Sequence, residues 1–223
     1  MIEFDYARLP LLEKFAYQAL TNQQGRQHTY VLAKEALKVS GAFVECGVAY
    51  GGSAGVMLQA MVDAGDIRAL HLVDSFQGIP LSGPKDRDQP GIGPFVADVN
   101  LPLAARLRTS GISSCSKTNV QRNFQEWGLP TDLIVYHEGW FQNSLPTAEI
   151  GDIAMLRLDG DLYESIECCM QWLYPKVVSG GIVLSDDWTP VGKGHDAIRD
   201  YFGGDPPGLG LTVDTGACYW IKP

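Results

Sequence analysis

Phe43-Val44-Glu45-Cys46-Gly47-Val48-Ala49-Tyr50-Gly51-Gly52-Ser53 is the stretch from which the fold is read. Ala42–Gly47 is a short apolar run closed by glycine, and Gly52 to Ala64 reads as a helix. A strand thus runs through a glycine-rich turn into a helix, and the alternation recurs. Ala69–Asp74 and Leu133–His137 are further apolar runs, with a helical stretch over Thr118 to Trp127 between them. Ile153–Asp159 precedes a helix over Tyr163 to Tyr174, and Gly181–Leu184 precedes one over Asp196 to Phe202. Short apolar strands alternating with helices predict an α/β domain whose parallel sheet is covered on both faces. Leu211–Val213, the turn-like Asp214–Gly216 and Ala217–Ile221 predict a closing antiparallel hairpin. Upstream, Leu11–Leu20 and Tyr30–Val39 show helical spacing. The expected organisation is an N-terminal helical segment over 1–41 and one compact domain over 42–223. Gly or Pro fills eight of the seventeen positions from Gly78 to Pro94. That range is a candidate substrate lid, or a tolerated surface insertion.

The 223 residues suit one domain, and 45% hydrophobic with 19% charged residues is globular composition. With 26 acidic against 17 basic residues the formal charge is −9, and no basic stripe marks a nucleic-acid surface. No apolar run is long enough to span a membrane, and the first residues do not read as a signal peptide. Five cysteines without a CxxC pair predict reduced thiols rather than a disulfide framework or zinc site. A cytoplasmic protein without nucleic-acid or membrane partners is expected. The amphipathic N-terminal helices are offered as the contact of a homodimer.

In an open α/β sheet, ligands bind beyond the carboxyl ends of the strands. Gly47, Gly51 and Gly52 allow close backbone approach, and with Tyr50 and Ser53 they lead into a helix N-terminus that favours an anion. The spacing is GxxxGG rather than the GxGxxG of a dinucleotide site, which argues against a nicotinamide oxidoreductase. Glu45 suits a ligand ammonium. Asp74, followed by Ser75, stands at the tip of the second strand where a ribose diol is held. Glu138, Gly139 and Trp140 supply a close-approach glycine and an aromatic for an adenine ring. Each feature has a plain connection, capping or packing reading. Together they outline a nucleoside carrying an amino acid, the shape of S-adenosylmethionine, whose sulfonium suits an acidic protein.

Two further strand ends carry acids: Arg157-Leu158-Asp159-Gly160-Asp161 and Ser185-Asp186-Asp187-Trp188. Three or four carboxylates meeting there, with no lysine or arginine partner read for them, repel strongly. A hard divalent cation with oxygen ligands, Mg²⁺ or Ca²⁺, relieves that repulsion. Solvated helix caps are the plain alternative, Asp161 for the helix near Tyr163 among them.

The runs VECGVAYGGS, DSFQGIP, GWFQNSLP, LRLDGDLYES, YPKVVSGG and LSDDW resemble the macrocin O-methyltransferase family from about Phe43 to about Phe202. The resemblance implies a Rossmann-like class I methyltransferase fold with a mostly parallel seven-stranded sheet. It implies S-adenosylmethionine as methyl donor, Mg²⁺ as metal, and a hydroxylated small-molecule substrate, a sugar first and a phenol second. It also implies Asp159, Asp186 and Asp187 as metal ligands, Asp159 beside the cofactor too, and Asp161 as the base. His195 is the competing base, since imidazole titrates near neutral pH. A catechol-type methyltransferase and a non-catalytic nucleoside-binding module are the competing functions.

Overall fold

The computed structural model describes residues 2, 4–86, 101–188, 193–212 and 216–223. In chain order come α1 (Gln23–Ala36), β1 (Ala42–Cys46), α2 (Gly52–Ala64) and β2 (Leu70–Asp74). A long connection then holds the four-residue α3 (Leu103–Arg106) and α4 (Lys117–Glu126) before β3 (Ile134–Glu138). After it follow α5 (Phe141–Ser144), β4 (Ile153–Leu158), α6 (Tyr163–Leu173), β5 (Val177–Ser185) and α7 (Gly194–Phe202). The chain closes with β6 (Gly210–Leu211) and β7 (Cys218–Ile221). The seven described strands form one sheet in the order β3-β2-β1-β4-β5-β7-β6. β7 runs antiparallel to β5 and β6, and the other neighbours are parallel.

The parallel strands are buried on both sides, which is why their sequences are continuous apolar runs. Phe43, Leu70, Leu72 and Met155 share a core with α1, α2 and α4. The alternate residues Val44, Cys46, Leu156 and Leu158 share a second core with α6 and α7. Strand order reverses between β1 and β4, whose ends lie side by side with Cys46 opposite Leu158. A switch point of this kind opens a crevice beyond the strand ends.

The N-terminus departs from expectation. Leu11–Leu20 holds only a 3₁₀ turn, Glu13–Phe15, because Leu12 and Leu20 adopt left-handed φ of 57° and 53°. Its apolar spacing serves a strap instead: Leu12, Phe15 and Ala19 are buried, and Phe15 meets Trp127 edge-on at 4.9 Å. The second expected helix begins earlier, at Gln23, where the Asn22 side chain accepts a hydrogen bond from Gly25 N at 2.9 Å. It ends at Ala36, short of Val39. β5 also begins earlier than the Gly181–Leu184 run, at Val177. Of the expected lid over 78–94, residues 87–94 lie outside the described residues, as do Val213, Asp214 and Thr215 of the expected hairpin turn.

Candidate active site

The crevice beyond β1 and β4 holds a cavity of about 270 Å³. Of the residues singled out by sequence, Gly47, Asp74, Ser75, Trp140, Asp159, Asp161, Asp186 and Asp187 line it. Gly47 has φ of 86°, and a Cβ there would fall 1.7 Å from the Asp159 carbonyl oxygen. Only glycine lets the first turn lie against the end of β4. Asp74 Oδ2 accepts from Val48 N at 2.6 Å and Ala49 N at 3.2 Å, and Oδ1 accepts from Phe76 N at 2.6 Å. Burial nevertheless raises the Asp74 carboxyl above its ordinary value. Gly139 N donates to the Asp74 carbonyl at 2.9 Å and delivers Trp140 to the cavity wall.

The other expected cofactor residues are not among those that line it. Gly51 faces Val120 and Phe124, while Gly52 abuts the backbone of Gln18 and Ala19. Tyr50 lies 6.5 Å from the Tyr17 ring, Ser53 is buried within α2, and Glu138 pairs with Lys117. Gly78, Ile79 and Pro80, from the start of the expected lid, also line the cavity, as do Ala19, Leu20, Ser113 and Gln142, which were not singled out from the sequence. They come from the strap, the long connection and the four-residue α5, all too short or irregular for periodicity to mark a side chain's direction.

The acids do have a cationic partner, contrary to expectation. Arg157, 1% exposed, donates through Nη1 to Glu45 Oε1 at 3.0 Å and Asp159 Oδ2 at 2.7 Å, and through Nη2 to Asp186 Oδ2 at 2.6 Å. Burial alone would lower the guanidinium; Asp186, Asp159 and Glu45 overcome it and raise it. Glu45 is fully buried, and its Oε2 has no hydrogen-bond partner. Burial lifts its carboxyl, opposed by Arg157. The arginine stands in the quoted LRLDGD run, but its reach across neighbouring strands is tertiary information.

One guanidinium does not neutralise the rim. Asp159, Asp161 and Asp187 each offer an oxygen within 4.8 Å of the others, and Asp161 N donates to Asp187 Oδ2 at 2.9 Å. The Asp161 carboxyl is pushed up to about 7 by burial first, then by Asp159 and Asp186. Asp187 is held well above its ordinary range by burial, then by Asp161, Asp159 and Asp186. An oxygen-only donor set short of positive charge fits a hard divalent cation. Asp161 itself has φ of 58°, so it sits in a strained turn rather than in a helix. It does not cap α6, whose N-cap position is Leu162. His195 lies beside Asp196 at 3.0 Å and 6.3 Å from the Trp188 ring, outside the residues that line the cavity.

Comparison with known proteins agrees with this geometry. A demethyldecarbamoylnovobiocin O-methyltransferase of Streptomyces niveus is 35% identical over 82% of this chain and 67% of its own length. A Streptomyces olivaceus enzyme that acts at the 4′-oxygen of an L-rhamnosyl tetracenomycin is 34% identical over 74% of this chain and 59% of its own length. The solved structure of the O-methyltransferase NovP matches with a TM-score of 0.71 at 30% identity, covering 90% of this chain and 80% of that one. The model of the macrocin O-methyltransferase (TylF) family matches residues 27–222. The chain therefore belongs to the macrocin O-methyltransferase family and is an S-adenosylmethionine-dependent methyltransferase.

Proposed function

We propose that the chain methylates a sugar hydroxyl of a small natural product, with magnesium held at the acidic rim. The observation that carries this is one cavity lined both by Gly47, Asp74, Ser75 and Trp140 and by Asp159, Asp161, Asp186 and Asp187. The first set suits a nucleoside: the three amides on Asp74 leave about one of its roughly four lone-pair sites for a ribose hydroxyl. Gly139 braces that wall through its bond to the Asp74 carbonyl, and Glu45, Tyr50, Gly51, Gly52, Ser53 and Glu138 stay candidate cofactor residues outside the lining. Asp159, Asp186 and Asp187, the ligands that the family resemblance implies, would hold the magnesium, with Asp161 converging on Asp159 and Asp187 beside them; when bound, the ion would lower the pKa of an acceptor hydroxyl.

Methyl transfer is an in-line displacement, with the attacking oxygen about 3–3.5 Å from the methyl carbon. The carbon–sulfur bond breaks, the carbon–oxygen bond forms, and S-adenosylhomocysteine leaves. Asp161 receives the hydroxyl proton on a carboxylate oxygen, and its raised affinity for protons suits a base near neutral pH. His195 stands second in that role. The sugar reading draws on the rhamnosyl relative and on the polar lining from Ser75, Ser113 and Gln142. We also infer a cytoplasmic homodimer without nucleic-acid or membrane partners. Light scattering at twice the chain mass tests its assembly. Among the described residues no helix is long and apolar enough to cross a membrane.

The test is transfer of labelled methyl from S-adenosylmethionine to demethyldecarbamoylnovobiocin, methyl α-L-rhamnoside and catechol, with magnesium or with EDTA. The proposal expects label on a sugar oxygen in magnesium and at least a tenfold loss in EDTA. Transfer to catechol alone overturns the sugar assignment, and full activity in EDTA removes the metal.

A further inference from the structure

We infer that Asp86 and Arg106 are positioning residues for methyl transfer, clamping the long connection after β2 onto the turn that carries Asp161. The inference rests on the methyl-transfer reading above. α6 begins two residues after Asp161, and its N-cap residue Leu162 has no side chain able to hold the exposed amides. Asp86 supplies the cap from 77 positions away: its Oδ1 accepts from Tyr163 N at 2.9 Å. Oδ2 accepts from Gly83 N at 3.2 Å, so both oxygens are engaged, and the residue is buried.

The second arm of the connection reaches the same turn of α6. Arg106, buried at 5% exposure, donates through Nη1 to Glu164 Oε2 at 2.5 Å and through Nη2 to Glu164 Oε1 at 2.8 Å. A two-pronged pair of this kind fixes orientation as well as distance. Gly83 sits between them: a Cβ there would lie 2.8 Å from both Arg106 Nη1 and Glu164 Oε2. The two arms are also tied to each other. Ser110 N donates to the Ile79 carbonyl at 2.9 Å, Ile79 N donates to the Ile112 carbonyl at 3.0 Å, and Pro80 and Thr109 form an antiparallel bridge.

The consequence is geometric. Ile79 and Pro80 line the cavity on the first arm and Ser113 follows the second, while Asp161 and Ser165 line it from the α6 side. Asp86 and Glu164–Arg106 join these two walls at one point. The clamp therefore sets the distance between the surface that meets the acceptor and the carboxylate that takes its proton. Gly47 and Trp140, on the turns after β1 and β3, are not part of it, and Asp74 is held independently by Val48 N and Ala49 N.

Asp86→Asn, Arg106→Gln and the charge-reversed pair Arg106→Glu with Glu164→Arg test this in the whole protein. Hydrogen exchange over residues 159–166 should quicken about tenfold or more in the two single variants, with β1 and β4 protected as in wild type. S-adenosylhomocysteine affinity by calorimetry should stay within twofold, whereas kcat on whichever acceptor of the panel above is methylated should drop tenfold or more. The reversed pair should recover at least part of both losses. Unchanged exchange over 159–166, or a cofactor affinity that falls in step with kcat, overturns the clamp. A wild type that methylates nothing in the panel counts against the acceptor reading, and the exchange data still decide the clamp.

Discussion

The glycine turn after β1 and the acidic rim after β4 and β5 lie side by side in the same crevice, yet they are finished to different degrees. At the turn, most groups find partners within the chain. Gly47 fits against Asp159, Gly52 against Ala19, and both Asp74 oxygens hold backbone amides. At the rim, Arg157 answers Glu45, Asp159 and Asp186, but Asp161 and Asp187 keep carboxyls raised by burial and by neighbouring aspartates, Asp159 and Asp186 for both. A satisfied neighbourhood is scaffold. One left with uncompensated charge is where a cation and a proton transfer belong.

The strongest way to break this contrast is Asp161→Asn, which removes the base without changing the shape of the turn. We expect kcat to fall by about 10²–10⁴-fold, with S-adenosylhomocysteine affinity by calorimetry close to wild type. Retained turnover would move the base to His195. Next is Arg157→Met, which strips the internal counter-ion from a buried glutamate and two aspartates. Losing one partner of a buried charge network costs about 3–5 kcal/mol, to be read from urea unfolding. A loss below about 1 kcal/mol would mean that the rim tolerates its own repulsion.

The scaffold side predicts a smaller effect of another kind. Gly52→Ala would place a Cβ 2.1 Å from Ala19 N, so the strap must shift, at about 1–3 kcal/mol. Because Ala19 and Leu20 of the strap line the cavity, cofactor affinity should fall with that shift while kcat at saturating cofactor changes little, and a selective loss of kcat would blur the distinction. His28, remote from both regions, sharpens it as a control. It is buried and its pKa is lowered from 6.5 to about 4 by burial. The unfolded chain binds its proton at higher pH than the folded one, so stability is full above about 6.5 and declines as pH falls toward 4. About 1.4 kcal/mol should be lost per pH unit inside that window, and His28→Gln should flatten this part of the profile.

The same contrast explains what was legible in the sequence. β1, β2, β4 and the hairpin strands announce themselves as apolar runs, and the acids at strand ends follow from their positions. Leu11–Leu20 misleads because a strap that buries Leu12, Phe15 and Ala19 has helix-like spacing without helical dihedrals. The start of β5 is hidden by Gly180 and Gly181, where its pairing with β4 slips register. Arg157, Asp86 and Arg106 act on partners on other elements, up to 112 positions away for Glu45. No local pattern records such pairs. For the same reason Asp186 reads as an equal of Asp187, although Arg157 takes one of its oxygens while Asp161 joins Asp159 and Asp187.

Calorimetric titration with magnesium chloride tests the central claim most directly. The account predicts one site per chain in wild type, weakened in Asp186→Asn and lost in Asp159→Asn and Asp187→Asn. Absence of binding in wild type, or equal binding in Asp187→Asn, would contradict it.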